Sequence, residues 1–316
     1  MNTTNTIAPN REIAIHVQGL TKSYGKVHAL RGIDLQVQRG EIFGFLGPNG
    51  AGKTTTIRCM LDMIRPDGGK ALLLGLDPQV DPVAVQSRTG YLPGEMQYYD
   101  NLTSERQLRF FNDMRGGRAE WDYVRHLADH LSLDLHQPIK NLSKGNKQKV
   151  GVIQALMHQP ELLLLDEPTS GLDPLMQQEV LGLLREANST GTTIFFSSHI
   201  MSEVENLAER VAIIRSGEIV EITQTSRLTR SSVNRITIRF KQPVEFTELV
   251  KLPGVEVLSH LDQTSLTLQV TGDMEMLVQI LGHLPVLDLE TERPSLEEVF
   301  LTYYKKNSIR SIEQGA

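Results

Sequence analysis

Apolar and polar positions alternate along the first two thirds of the chain in a pattern that predicts short strands separated by helices. Strand-like segments occupy residues 12–20, 32–38 and 41–47, and apolar residues recur at helical spacing from residue 54 onward. Four consecutive leucines at 162–165 are typical of a strand that is buried on both faces. This alternation predicts an α/β fold with a largely parallel sheet.

The same pattern continues downstream of the leucine run. Helices are predicted from Leu175 to about Asn188 and from Met201 to Ala208, and strands at 192–198 and 210–217. Residues near 95 to 160 are more polar, and we expect them to be mainly helical.

A polar stretch at residues 223–234 predicts a boundary between two domains. We assign residues 1–11 to a tail, 12–225 to the first domain and 226–316 to a small second domain. In the second domain the predicted order is strand, helix, strand, strand, helix, strand, which is typical of a ferredoxin-like α+β unit. The strands are predicted at 235–240, 256–261, 265–270 and 286–290, the helices at 243–252 and 272–284, and a last helix at 295–306.

Composition narrows the class of protein. A length of 316 residues favours two domains, and a formal net charge of -6 gives the chain no overall attraction to nucleic acid. The single cysteine, Cys59, excludes an intrachain disulfide, and its place in a predicted helix favours a packed core thiol. No apolar run approaches the roughly 20 residues that cross a bilayer, and the polar N-terminus lacks the pattern of a signal peptide. We expect a cytoplasmic protein that reaches a membrane only through a partner.

The segment GPNGAGKT at residues 47–54 matches the P-loop pattern, which binds phosphate. Its glycines let several backbone N–H groups point at one anion, and the dipole of the following helix adds to the attraction. Lys53 would contact the β- and γ-phosphates, and the Thr54 hydroxyl would bind Mg²⁺. A predicted strand before the segment and a predicted helix after it favour this interpretation over a chance turn. The residues predicted to bind a nucleotide are Gly47, Pro48, Asn49, Gly50, Ala51, Gly52, Lys53, Thr54 and Thr55.

A second, acidic motif ends the leucine run. Asp166 would bind Mg²⁺ directly or through water, and Glu167 is the candidate general base for an attacking water. Alone the motif is weak, because many buried strands end in an acid. Together with the P-loop it indicates hydrolysis of a nucleoside triphosphate.

Five motifs occur in one order along the chain: the P-loop, LSKGN, LLLLDEP, SGLD and FFSSH. Together they resemble the nucleotide-binding subunit of an ATP-binding cassette (ABC) transporter over roughly residues 12–225. The resemblance implies a P-loop NTPase cassette with a mostly parallel core sheet, antiparallel N-terminal strands and a helical subdomain at about 95–160. It also implies a dimeric ATPase that uses ATP and Mg²⁺.

The polar stretch NLSKGNKQK at residues 141–149 precedes a helix whose apolar residues share one face. Ser143 is a good N-cap residue, Gly145 permits close approach, and a helix N-terminus attracts an anion. In the family that the chain resembles, two subunits pair head to tail, and this signature segment faces the ATP on the P-loop of the other subunit. The resemblance thus places Ser143, Lys144, Gly145 and Asn146 at the opposite subunit's γ-phosphate. Without the other motifs, the segment would be an ordinary capped helix.

Three further positions take roles from the resemblance. Asp173 in SGLD matches the acid of the loop at the dimer interface, His199 matches the switch histidine at the γ-phosphate, and Tyr24 matches the aromatic residue that stacks on adenine. Outside this motif order, His199 and Tyr24 would be read as surface or packing residues.

The chain departs from the family's pattern at two places. In the signature, Lys144 and Asn146 replace the second glycine and the glutamine of the family, which leaves Ser143 and Gly145 in place. The larger departure lies near residue 94. Where the family has a glutamine that binds Mg²⁺, this chain has Gly94 followed by Glu95. Either Glu95 supplies an oxygen ligand or the metal has one protein ligand fewer. Gln97 is a third candidate, three positions too late.

The segment PSLEEVFLTYYKK at 294–306 resembles the extra domain of cassettes that pair with a separately encoded exporter permease. We therefore expect a homodimeric ATPase subunit that energises export, bound to the cytoplasmic face of the membrane through the permease and with no nucleic-acid partner. The helical region near 95–125 would transmit closure to the permease. Two alternatives stay open: a soluble ABC-type ATPase without a membrane partner, and a P-loop kinase, which explains the P-loop but not LSKGN or His199.

Overall fold

The structure, a computed structural model, describes residues 12–226, 234–246, 249, 251–271 and 274–292. The chain divides into two compact units between Thr223 and Gln224, close to the boundary expected after residue 225. The tail predicted at 1–11 and the helix predicted at 295–306 lie outside the described residues.

Strands and helices alternate through most of the first unit. Its strands are β1 (Ile13–Tyr24), β2 (Val27–Gln38), β3 (Ile42–Leu46), β4 (Gly68–Leu73), β5 (Thr89–Leu92), β6 (Leu162–Asp166), β7 (Thr193–Ser198), β8 (Arg210–Arg215) and β9 (Glu218–Gln224). The last residue of β9 lies just beyond the division between the units. The helices are α1 (Lys53–Met60), α2 (Pro82–Arg88), α3 (Ser104–Met114), α4 (Trp121–His130), α5 (Lys144–Leu156), α6 (Pro174–Ser189) and α7 (Met201–Leu207), with a short 3₁₀ helix at Ile139–Asn141.

A six-stranded sheet in the order β5-β6-β7-β3-β8-β9 forms the centre of this unit. The pairs β5–β6, β6–β7, β7–β3 and β3–β8 are parallel, as the strand–helix alternation predicts. Every residue of β3 and β6 is buried, which explains their apolar sequences. In this register Leu46 lies opposite Ser198, and Asp166 lies opposite Ser197. The P-loop, the acidic motif and His199 therefore follow neighbouring strands at the same edge of the sheet.

A second sheet, in the order β2-β1-β4, is antiparallel, which confirms the expected antiparallel N-terminal strands. Its buried residues share one core with α1 and the central sheet, including Ile15, Ile33, Ile57 and Phe195. The sequence pattern did not predict β4, α2, β5 or β9. β4 begins with two glycines and β5 has only four residues, so neither presents a strand-like run of apolar or alternating positions.

Three α-helices, α3, α4 and α5, and the short 3₁₀ helix make up the helical region predicted near 95–160. Residues 93–103 carry no helix, so the helical part begins at Ser104 rather than near 95. The reason is local, because the Thr103 hydroxyl caps α3 by accepting the Arg106 N–H. No helix in the described part of the chain combines the length and the apolar character needed to span a bilayer.

The second unit contains β10 (Asn234–Phe240), β11 (Val255–Leu261), β12 (Ser265–Val270), α8 (Glu275–Leu281) and β13 (Val286–Glu292), with a 3₁₀ turn at Asp262–Thr264. Its sheet has the order β11-β12-β10-β13, and all three pairs are antiparallel. Strands that follow each other through a helical connection are separated by another strand, as in the predicted ferredoxin-like unit. Ile238, Leu268 and Leu277 belong to a core that is built from this unit alone.

The helix predicted at 243–252 is wrong for residues 243–246, which are not helical. The Val244 N–H is instead donated to Gln263 O at 2.9 Å, so this backbone holds the turn that follows β11. Leu249 is helical, and the neighbouring residues 247, 248 and 250 lie outside the described chain.

Candidate nucleotide-binding and catalytic site

The P-loop connects β3 to α1 and depends on glycine at two kinds of position. Gly50 and Gly52 have φ angles of 79° and 112°, in the left-handed region where side chains are strained. At Gly47 the limit is space, because a Cβ there would lie 2.4 Å from Ile214 O. The sequence pattern therefore fixes a narrow loop whose backbone leads directly into the N-terminus of α1.

Lys53 lies inside this loop with only 5% of its surface exposed. Its ammonium group donates to Gly47 O at 2.7 Å and to Pro48 O at 3.2 Å, and it lies 3.5 Å from Glu167 Oε1. A buried cation inside a loop of converging backbone groups is suited to bind a phosphate group.

Asp166, 1% exposed, lies between two hydroxyl groups. Thr54 Oγ1 donates to Asp166 Oδ2 at 2.6 Å, and Ser197 Oγ donates to Asp166 Oδ1 at 2.5 Å. Thr54 and Asp166 thus offer the oxygen ligands that Mg²⁺ prefers. No three His, Cys, Asp or Glu side chains form a metal-binding group in the described ranges. The Thr54–Asp166 pair therefore fits an ion that completes its coordination with phosphate oxygens and water.

Gly94, which stands where the family has a glutamine, lies next to Asp166. A Cβ at Gly94 would be 3.1 Å from Asp166 Oδ2, so a side chain at this position would start beside the carboxylate. Glu95 and Gln97 are exposed, and neither takes part in the hydrogen bonds described for Asp166. Whether Glu95 binds the metal stays a prediction.

Glu167 is fixed through its backbone, and its side chain faces Lys53 and His199. Its φ angle of 53° is unusual for a residue with a side chain. Its N–H donates to Ser197 O at 3.2 Å and to Ser197 Oγ at 3.1 Å, and its carbonyl accepts from Gln148 Nε2 at 3.1 Å. On the side chain, Oε1 lies 3.2 Å from His199 Nδ1 and 3.5 Å from Lys53 Nζ. The carboxylate is thus held beside the P-loop cation with one face open to solvent.

The signature segment begins α5 as expected. Ser143 is the N-cap and accepts the Asn146 N–H at 3.1 Å. A Cβ at Gly145 would be 3.0 Å from Gly171 O, and the Lys144 methylenes lie against Gly171. The signature segment and the loop before α6 therefore form one continuous surface of the same chain, and Ser143 and Lys144 are exposed on it.

Asp173 and Tyr24 are both exposed on the surface of the first unit. Asp173 caps α6 by accepting the Met176 N–H at 3.0 Å. Tyr24 ends β1 with 48% of its surface exposed, and Lys22 Nζ lies 5.7 Å from its ring centre. Because both residues are exposed, a ligand or a second molecule can contact them from the solvent side.

Two polar residues beside the site were not found by sequence reasoning. Gln148 joins α5 to the acidic motif through Glu167 O and Pro168 O, each at 3.1 Å. Glu203 in α7 accepts hydrogen bonds from Thr169 and Ser198. A signal existed for Glu203, since it precedes the buried Leu207 by four residues and thus shares the inward face of α7.

Tyr91 and Tyr98 are two partly buried tyrosines near these segments. Burial raises the pKa of Tyr91, which also lies near the Asp166 carboxylate. Burial likewise raises the pKa of Tyr98, whose hydroxyl donates to Lys147 O in α5 at 2.5 Å. Neither can serve as a base near neutral pH.

Comparison with known proteins places this geometry in a family. A sequence model described as "ABC transporter" matches residues 30–170. The chain is 31% identical over 302 residues to a linearmycin resistance ATP-binding protein of Bacillus subtilis, covering 91% of this chain and 97% of that protein. It is 32% identical to a daunorubicin resistance ATP-binding protein of Streptomyces coeruleorubidus, with 92% and 95% covered. A bacitracin transport ATP-binding protein of Enterococcus faecalis is 36% identical over 219 residues, or 69% of this chain and 71% of that protein.

Solved structures of ATP-binding cassettes have the same fold. An ATP-binding subunit of an ABC transporter matches with a TM-score of 0.62 and 30% identity, over 69% of this chain and 92% of that one. A dimeric ATP-binding cassette bound to ADP and Pi shares the fold, with a TM-score of 0.58 at 22% identity over 67% and 98% of the two chains. With these matches and a P-loop that meets Asp166 and Glu167 at one sheet edge, the chain belongs to the ABC transporter family, as an ATP-binding subunit that hydrolyses ATP.

Proposed function

We propose that two copies of this chain hold two ATP molecules head to tail and drive export through a separate membrane permease. The observation that carries the proposal is the convergence of Lys53, Thr54, Asp166, Glu167 and His199 at one edge of the central sheet, with the signature segment exposed elsewhere on the same chain. The functions that name the relatives, resistance to linearmycin and daunorubicin and transport of bacitracin, favour export.

Each residue of the P-loop side has a distinct task. Backbone N–H groups of residues 47–55 and the Lys53 ammonium bind the β- and γ-phosphates, and Tyr24 stacks on adenine. Thr54 and Asp166 would hold Mg²⁺, which would neutralise phosphate charge. Ser197 keeps Asp166 oriented by its 2.5 Å hydrogen bond.

Glu167 acts on the attacking water. Its carboxylate accepts the proton as the water oxygen bonds to the γ-phosphorus, and the bond from phosphorus to the ADP oxygen breaks, giving ADP and phosphate. His199, 3.2 Å from Glu167 Oε1, contacts the γ-phosphate and aligns the carboxylate. Lys53 stabilises charge on the phosphates throughout.

The second subunit supplies the other wall of the site. Ser143, Lys144, Gly145 and Asn146 at the N-terminus of α5 would face the γ-phosphate on the partner's P-loop, and Asp173 would lie at the interface. ATP then favours the closed dimer because one phosphate contacts both chains, and hydrolysis removes that link.

The dimer is tested with a variant that binds but does not hydrolyse ATP. We expect Glu167→Gln to form dimers with ATP and Mg²⁺ but not with ADP, measured by light scattering after size exclusion. Adding Ser143→Ala should abolish these dimers. Thr103→Ala is the matched control, since it removes the N-cap of α3, with a similar cost of about 1 kcal/mol, and should leave dimerisation intact. A monomer in every nucleotide state would refute the head-to-tail arrangement.

The permease would dock on an apolar groove that precedes and includes α3. A cavity of about 560 Å³ is lined by Tyr98, Tyr99, Asp100, Asn101, Leu102 and Phe110. The Tyr99 and Phe110 rings meet edge to face at 5.5 Å, yet 58% and 40% of these residues remain exposed. Exposed aromatic pairs beside a groove are typical of protein interfaces. The Tyr98 hydroxyl connects the groove to Lys147 O in the signature helix, which gives closure a direct route to the partner.

Recovery with membranes tests this partner and the location that it implies, peripheral on the cytoplasmic face. The full chain should pellet with washed membranes of its host and be released by detergent together with an integral membrane protein. Phe110→Glu should reduce recovery at least about fivefold, whereas Val83→Glu, an exposed apolar position on α2, should not. Recovery with ribosomes or DNA instead would favour the ABC-type ATPase without a membrane partner.

A further inference from the structure

Glu203, in the first turn of α7, is a carboxylate with only 5% of its surface exposed. Buried carboxylates are costly unless their oxygens are hydrogen-bonded. Both oxygens of Glu203 are satisfied, since Oε1 accepts from the Thr169 hydroxyl and Oε2 accepts from the Ser198 hydroxyl at 2.6 Å. The group therefore joins two other segments of the chain.

Those two segments carry the residues that act on the γ-phosphate. Ser198 immediately precedes His199. The side-chain oxygen of Ser198, Oγ, also accepts the Ile200 N–H at 2.9 Å, so the chain is fixed on both sides of His199. Thr169 lies two residues after Glu167, and its carbonyl accepts the Leu172 N–H at 3.2 Å in the loop that leads to Asp173.

We propose that Glu203 is a positioning residue that sets His199 against Glu167 and links both to the interface loop before Asp173. Its effect on the site passes through the Ser198 and Thr169 hydroxyls, with which its two oxygens are hydrogen-bonded. The inference rests on the roles proposed above for His199 and Asp173. A shift of the interface loop on dimer closure would move Thr169, and Glu203 would pass that shift to His199.

The first test separates turnover from binding in the full chain. We expect Glu203→Ala to lower kcat by about 10- to 100-fold while the Kd for a fluorescent ATP analogue changes less than about threefold, because Lys53 and the P-loop are untouched. Glu203→Gln should retain kcat within about fivefold, since an amide oxygen can still accept from Thr169 and the Ser198 hydroxyl can turn to Ile200 O. A wild-type kcat in Glu203→Ala would overturn the proposal.

A matched buried carboxylate provides the control. Glu41, 2% exposed, accepts from Arg210 at 3.1 Å and lies immediately before β3, at the opposite end of that strand from the P-loop. Glu41→Ala should lower the thermal midpoint as Glu203→Ala does but leave kcat within about twofold. Equal losses of kcat in both variants would mean that Glu203 is merely structural.

A double-mutant cycle decides whether Glu203 acts through His199. If it does, Glu203→Ala combined with His199→Ala should be no slower than His199→Ala alone, within about twofold. Multiplicative losses would overturn the inference while leaving the proposed function standing. A wild-type kcat in His199→Ala would instead refute the role of His199 itself. If Glu203→Ala does not fold, Thr169→Val replaces it in the cycle, because this substitution removes one hydroxyl and keeps the shape of the side chain. The expected outcome is the same.

Discussion

His158, just after α5, is a partly buried histidine whose ring is neutral at neutral pH. Arg115 Nη1 lies 2.9 Å from His158 Nε2 and also donates to Gln86 O and Thr89 O. Burial, and then the nearby Arg115 guanidinium, lowers the pKa of His158 from 6.5 to about 4. The neutral ring is thus the form that the native state stabilises.

This shift predicts an acid sensitivity with a defined sign. Because the pKa of His158 is lower in the folded than in the unfolded chain, its contribution is complete above pH 6.5 and is lost as pH falls toward 4. In urea unfolding, the difference in free energy of unfolding between wild type and His158→Gln should narrow by about 2 kcal/mol between pH 7 and pH 5. A constant difference for His158→Gln would contradict the neutral ring.

Cys59 offers a second prediction for a single residue. It is the only cysteine in the chain and is 2% exposed in α1, directly behind the P-loop. Burial raises its thiol pKa to about 11, so the reactive thiolate is scarce at neutral pH. We expect no reaction with Ellman's reagent in the native chain at pH 7.5, with or without ATP, and full reaction in urea. Rapid labelling of the native chain would mean that α1 opens locally.

At the scale of elements, the apolar pattern predicted those strands that are buried throughout and those helices that bury one face. β6, α6 and β7 match their predicted bounds within about two residues, because uninterrupted apolar runs or a full helical period mark them. β5 could not be predicted in this way, because its four residues are held as a strand by pairing with β6 and not by their own preference.

The site shows the same division between local and distant information. Lys53, Asp166 and Glu167 lie in motifs that can be read from consecutive residues. The links from Gln148 to Glu167 and from Glu203 to Thr169 join residues 19 and 34 positions apart, and only the folded sheet brings them together. Sequence reasoning therefore predicted the charged groups that the fold brings together at this site, and it missed the polar groups that hold them in place.

Two glycine substitutions test how β5 and α5 pack. A Cβ at Gly90 would lie 2.2 Å from Ala155 O in α5 and 2.7 Å from a Leu163 methyl group. Gly90→Ala must therefore separate α5 from the sheet, and we expect a loss of at least about 2 kcal/mol in the free energy of unfolding. Gly182, exposed inside α6, has open space at its Cβ, so Gly182→Ala should stabilise the chain by about 0.5–1 kcal/mol. Both substitutions are measured by urea unfolding. If Gly90→Ala lowers and Gly182→Ala raises the free energy of unfolding, the lack of space at Gly90 sets how closely α5 packs on the sheet.

At the scale of the whole molecule, each unit has a core of its own residues. The buried cluster of the first unit runs from Ala14 to Ile214, and that of the second contains Ile236 through Leu281. All the residues that we assign to nucleotide binding and hydrolysis precede Thr223. Folding of the first unit and binding of ATP should therefore not require the second unit.

Two truncations that differ by a single strand test this independence. A chain that ends at Ser226 keeps β9 and should bind an ATP analogue with a Kd within about threefold of the full chain. A chain that ends at Arg215 should lose binding, because it lacks Gly217, whose N–H donates to Ala51 O in the P-loop at 2.9 Å and whose carbonyl accepts from Arg31 at 2.8 Å. Circular dichroism and thermal unfolding would show whether each chain folds before its affinity is compared. If the longer chain folds but binds ATP as poorly as the shorter one, the second unit contributes to the nucleotide site, and the assignment of that site to the first unit alone is wrong.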